Sequence, residues 1–208
     1  MTDIPIPPPP MSPEYGASGG YPVVLEFERG YEVQNWRPLV NWLLAIPHLI
    51  VIYVLAIVAA VLWFISFFTV LFTRRNPFLG VQTMIFRYNW RVYSYYLFMR
   101  NEYPPFDFAT TPGAEVPDPA VVIIEDPGEM NRWLPLIKWL LVIPHLIVLV
   151  VLSIAVAVVA IIAFFAVLFT GRWPKGMRDF VVGYMRWSTR VNAYMYFLTD
   201  AYPPFSLE

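Results

Sequence analysis

The sequence predicts an all-α integral membrane protein of four transmembrane helices, set out as two parallel tandem repeats, with short β-strands forming a small extramembrane cap. Three observations carry this. Trp36–Val51 returns as Trp133–Val148, an offset of 97 positions, so the chain contains an internal repeat. Each copy then runs into a long apolar stretch. Hydrophobic residues make up 58% of the 208 and charged residues 14%, against about one quarter charged in a soluble domain. Lipid is therefore the expected solvent for much of the surface.

The elements follow in order. Residues 1–20, with Pro5, Pro7 to Pro10, Pro13 and the Gly19-Gly20 pair, lack the basic start and apolar core of a signal peptide and read as a flexible, partly polyproline tail. The first membrane repeat covers 21–108 and the second 119–208. The proline-rich stretch between them, with residues 109–118 at its heart, reads as a linker. Each repeat opens on a short β-rich segment, Tyr21 to Glu28 or Pro119 to Glu125, closed by Gly30 or Pro127-Gly128. Both are expected strands.

A Trp-x-Pro-Leu motif comes next, then an apolar run, Leu39 to Phe72 or Leu134 to Phe169, broken by Pro47-His48 or Pro144-His145. The roughly 25 residues after each proline reach about 37 Å as helix, more than a hydrocarbon core of about 30 Å. A basic turn follows, Thr73 to Pro77 or Thr170 to Pro174. The last segment of each repeat is aromatic and closes on Tyr103-Pro-Pro-Phe106 or Tyr202-Pro-Pro-Phe205, now at an offset of 99. That spacing aligns Arg87 with Arg186 and Arg91 with Arg190.

These motifs, Leu-Leu-x-Ile-Pro-His, Phe-Thr-x-Arg-x-Pro and the terminal Tyr-Pro-Pro-Phe, resemble the bacterial membrane-protein family catalogued as domain of unknown function 4389, in two tandem copies spanning residues 21 to 207. The resemblance implies no activity. Arg74-Arg75-Asn76 departs from the pattern, which Gly171-Arg172-Trp173 keeps.

Thr83, Arg87, Arg91 and Ser94 form one narrow polar stripe on a helix, and Asp179, Gly183, Arg186, Arg190 and Ala193 repeat it. An arginine facing lipid at bilayer depth costs about 2.5 to 3.5 kcal/mol, so the stripes are expected to face a bundle interior, water or lipid phosphates. Near-identical surface pieces suit identical surroundings, which favours two crossings per repeat and parallel copies. The arginine-rich turns then share one side, cytoplasmic by the positive-inside rule. Trp36, Trp42, Trp133 and Trp139, with Tyr103 and Tyr202, fit an interfacial aromatic belt.

Two residue sets are candidates for chemistry. Arg87, Arg91, Arg186 and Arg190 could hold a phosphate or carboxylate bidentately, with an anionic lipid headgroup as ligand. His48 and His145, the two histidines, lie at helix starts that favour neutral imidazole, and if related by a pseudo-twofold axis they could ligate haem between them. Backbone or headgroup hydrogen bonding is the simpler role for both histidines. No nucleophile–base set or phosphate loop is present, the chain has no cysteine, and a net charge of −1 gives no basic footprint for nucleic acid. The expectation is a non-enzymatic, multi-pass protein of the cell membrane, serving as a scaffold or accessory subunit among membrane lipids and other membrane protein subunits. Anionic-lipid binding or handling is the first alternative, and bis-histidine haem electron transfer the second.

Overall fold

The computed structural model describes residues 20–208; almost all of the expected proline-rich tail lies outside them. The fold is mainly helical and strictly duplicated: β1 (Val23–Phe27), α1 (Arg37–Leu44), α2 (Ile46–Thr73) and α3 (Leu79–Tyr96), then β2 (Ala120–Ile124), α4 (Leu134–Leu141), α5 (Ile143–Thr170) and α6 (Lys175–Met195). The two strands expected from the sequence pair with each other antiparallel, Val23 opposite Ile124 and Phe27 opposite Ala120, and form a two-stranded sheet.

Helices α1 and α2 make one rod with a proline break. Ala45 keeps helical angles, and its N–H bonds Asn41 while its carbonyl accepts from Leu49, so the ladder continues across the junction. Pro47 offers no N–H to the preceding turn, and there the helix divides. Pro144 does the same between α4 and α5. Each rod ends on a left-handed residue, Arg74 (φ 61°) or Gly171 (φ 66°), whose N–H closes on Val70 or Val167.

Among the described residues two helices, Ile46–Thr73 and the rod Leu134–Thr170, are long and apolar enough to cross a membrane, where the sequence reading expected four. Helices α3 and α6 carry too much polarity. In α3, Gln82, Thr83, Arg87, Arg91 and Ser94 are all buried in protein.

The rods also run in opposite directions, unlike the parallel copies expected from equal surface pieces. Asn35, before α1, donates to Leu168 near the end of α5, and the Val33 N–H bonds Gly171. At the other end, the Met130 N–H before α4 bonds Arg74. Each rod therefore starts where the other stops. Backbone hydrogen bonds between a repeat's turn and the other repeat's lead-in impose this head-to-tail order, and the repeat pattern of the sequence carries no signal for it.

The molecule is layered. Helix α3 folds back along the first rod, with Tyr95 beside Asn41, Tyr88 beside His48, and Ile85 beside Ala59. The sheet lies on the far side of α3, where Trp90 donates to Glu26 and meets Phe27. Tyr88 and Trp90 are about 200° apart around the helix. Strand β1 of the first repeat packs on α6 of the second, as β2 of the second packs on α3 of the first. The order is thus rods, then α3 and α6, then sheet.

Candidate functional site

Along the first rod Asn41, Ala45, His48, Ala59, Ser66 and Val70 are buried, a line of steps near 3.5 residues that seats the helix on α3 and on the end of α6. The opposite side is exposed throughout and apolar: Leu43, Ile50, Ile57, Phe64 and Phe72 all lie open, at 51, 62, 54, 60 and 74%. The second rod repeats this with Ile147, Ile154, Ile161 and Phe169. Only 11% of the most apolar window of either helix is buried, so neither is the core helix of a soluble fold. Exposed apolar surface on this scale marks an interaction face.

The four arginines sit on the other side of the molecule. Arg91, 2% exposed, bonds the Asp107 carboxylate at 2.7 Å and the Val116 carbonyl at 2.7 Å, and lies 4.0 Å from Asp118. Arg87 donates to the Ala109 carbonyl and faces Glu115 at 3.5 Å. Arg186 bonds the carbonyls of Leu25 and Leu207 and lies 3.6 Å from Glu26. Arg190 projects over the Tyr21 ring at 5.6 Å. Three of the four candidates are thus already held by carboxylates and carbonyls of the chain. They clamp the linker, β1 and the C-terminal segment onto α3 and α6.

Electrostatics follow from the burial. Burial pulls the Arg87 guanidinium below the ordinary arginine range, while Glu115 opposes the shift. Arg190 is lowered first by burial and then by its neighbour Arg186. Burial disfavours the Asp107 carboxylate, yet bonds from Arg91 and the N–H groups of Ala109 and Val116 outweigh it and hold the group below the usual carboxylate range.

The histidines occupy two separate aromatic boxes. His48 is fully buried, with Nδ1 2.7 Å from the Tyr88 hydroxyl and its ring stacked on Phe106 at 4.1 Å and beside Tyr103 at 4.7 Å. His145 is equally buried. Its Nδ1 accepts from Trp187 Nε1 at 3.1 Å, with Phe205 stacked at 3.8 Å and Tyr202 at 5.0 Å. The role of the repeated Tyr-Pro-Pro-Phe peptide is therefore to cap its own repeat's histidine. With the rods antiparallel, the two rings lie roughly 15 Å apart along the axis at 1.5 Å per residue. They do not face each other.

Sequence reading missed the buried Lys138, whose Nζ bonds the Thr199 carbonyl at 2.7 Å and Asp200 at 2.9 Å. It also missed Arg178, buried under β1, which donates to the carbonyls of Gly30 and Arg29 and stacks on Tyr31 at 3.7 Å. The lone cation of the first apolar run's partner was a usable signal for Lys138. Beside Arg178 lies a groove of about 290 Å³ lined by Glu26, Tyr31, Asp179 and Arg186, its two guanidinium groups matched by two carboxylates. Among the described residues no three His, Asp or Glu side chains gather as a metal site.

Duplicated rods with one apolar face, backed by a polar helix-and-sheet layer, define a tandem-repeat protein with a built-in lipid-compatible surface. The chain belongs to the DUF4389 family, a domain of unknown function, whose family model matches residues 35–107 and again 133–206. No curated protein and no solved structure matches it.

Proposed function

We propose that this protein is a non-catalytic integral membrane scaffold or accessory subunit, held in lipid by the rods α1–α2 and α4–α5 while α3, α6 and the sheet present a polar platform to partner subunits. The observation carrying this reading is the unbroken exposed apolar face of both rods. Helices α3 and α6 stay outside the hydrocarbon in this reading, because Arg87 and Arg91 and their acidic partners are desolvated by protein and gain nothing from lipid. A four-span arrangement would set those groups at bilayer depth.

The test is extraction. Membranes from expressing cells, washed at alkaline pH and high salt, should retain the full chain, and detergent should release it. Recovery in the wash would end the membrane reading. Purification in mild detergent should bring down a stoichiometric partner, and a lone chain under several detergents would count against the accessory role.

Anionic-lipid binding is a second reading, favoured by Arg190, the one candidate arginine that makes no hydrogen bond or salt bridge among the described residues. It predicts co-purified anionic phospholipid that is lost in Arg190→Gln.

A further inference from the structure

We infer that both rods lie in the plane of one leaflet, with their outer faces sunk into the acyl region, so that the protein is monotopic and crosses the bilayer nowhere. The inference rests on the membrane reading above and concerns only how the chain meets lipid.

The first argument is the polar layer. It follows most of the first rod, because α3 lies against it from Tyr95 beside Asn41 to Ile85 beside Ala59, Asn76 just before α3 bonds Ser66, and the end of α6 meets Trp63 and Val70. Midway along α3, Arg87 and Arg91 hold Glu115 and Asp107, and Trp90 reaches the sheet. If the rods stood upright, those ion pairs and the linker would sit at bilayer depth. The outer edges of a two-stranded sheet would be there as well. A strand-edge or linker backbone group that depends on water for its hydrogen bond finds no partner in hydrocarbon. Laid flat, the same layer stands in water.

The second argument is length. A rod of 37 residues from Leu134 to Thr170 measures about 55 Å, nearly twice a hydrocarbon core of about 30 Å. An upright rod overshoots; a flat one has no length to match.

The third is symmetry of the ends. With antiparallel rods, upright insertion would send the Thr73 and Thr170 bends to opposite compartments. Flat insertion puts both on one surface. Arg75 and Arg132 at one end and Lys175 at the other are exposed and outside every salt bridge among the described residues. Anionic headgroups attract such side chains near the surface. Trp42 and Trp139, half exposed and bonded through Nε1 only to their own helix, suit the same headgroup level. A single leaflet therefore satisfies the apolar face, the basic ends and the polar layer together.

The chain has no cysteine, so single cysteines report cleanly. Leu43→Cys, Ile50→Cys, Ile57→Cys and Phe64→Cys, seven residues apart on the outer face, are spin-labelled in the full chain and reconstituted in phosphatidylcholine–phosphatidylglycerol vesicles. Depth is read from oxygen against nickel-chelate accessibility. The in-plane arrangement expects nearly equal depths at all four. A crossing rod would carry the label through about 32 Å between Leu43 and Phe64, giving a maximum in the middle and falling on both sides, and that profile overturns the inference. As a second readout, Arg75→Cys and Lys175→Cys should both react with, or both be shielded from, a membrane-impermeant maleimide in sealed oriented vesicles, and opposite sidedness overturns it. Chain that never partitions into vesicles defeats the membrane reading instead, which keeps the two failures apart.

Discussion

The two repeats hold the same backbone with different chemistry, and the differences fall at matched points. In the first repeat Asn41 lies buried under α3 and bonds the Tyr95 carbonyl, while Asn101 accepts from the Gln34 N–H. In the second, Lys138 and Asp200 stand at those two places as an ion pair, and Asp200 accepts from the Asn131 N–H. Both partners changed together. The same holds at the turns: Arg74 and Gly171 share one left-handed conformation. Asn76 Nδ2 and Trp173 Nε1, two residues on, each donate to the carbonyl of the phenylalanine two residues past the other repeat's last helix, Phe197 or Phe98. The family departure at Arg74-Arg75-Asn76 thus keeps the geometry and replaces the donor. What the duplication preserves at these points is where each hydrogen bond falls, not residue identity.

The largest expected effect breaks the charge pair. Asp200→Ala leaves Lys138 buried without its counter-ion and should destabilise the fold by about 3 to 5 kcal/mol, read as unfolding in detergent. Lys138→Asn with Asp200→Asn, which copies the first repeat, should recover most of that loss. A double variant as unstable as the single would show the repeats are not interchangeable here.

Acid should discriminate between the repeats as well. The folded Asp107 carboxyl lies below its unfolded value, so its contribution is present above about pH 4, the ordinary carboxylate pKa, and is lost as pH falls through the lower folded value. Its counterpart in the second repeat is Ser206, which does not titrate. Asp107→Asn should lower stability at neutral pH and flatten the acid limb below pH 4; an unchanged limb would assign that limb to other carboxylates.

At the histidine boxes, Trp187→Phe removes the donor to a buried acceptor, for about 1 to 3 kcal/mol. Trp187→Tyr, which imitates Tyr88, should cost less, and equal losses from the two would mean that ring volume rather than the hydrogen bond matters. The smallest effect is at the turns. Gly171→Ala takes on a left-handed backbone cost of about 1 to 2 kcal/mol, and its Cβ would meet Asn35 Oδ1 at 2.8 Å. Arg74→Gly relieves that cost but gives up bonds to Met130 and Glu129, so the change in melting temperature should be close to nil.

The repeat, both strands, both rods and the turns are legible in the sequence because each follows from local pattern: period-two β-branched runs, continuous apolar helix, and Gly or Arg before a proline. The arginine stripe was legible as a stripe. Its partners were not, since Asp107, Glu115 and Asp118 lie in a segment with no periodicity, and a solvated loop and a folded-back clamp share one composition. Rod direction was hidden for a related reason: it is fixed by backbone bonds such as Met130 to Arg74 and Val33 to Gly171, which involve no side-chain signature. The histidine caps fall between these cases, the motif being visible and its target on the far side of an intervening helix.

The crossed bonds at the rod ends have a consequence for inheritance. Each turn completes its backbone on the lead-in of the other half, so a single copy severed at the linker would keep its hairpin but lack the strand and segment that close it. Two such fragments should dock on one another as they do within the intact chain. The duplicated chain is, in that sense, two interlocked halves joined by a linker.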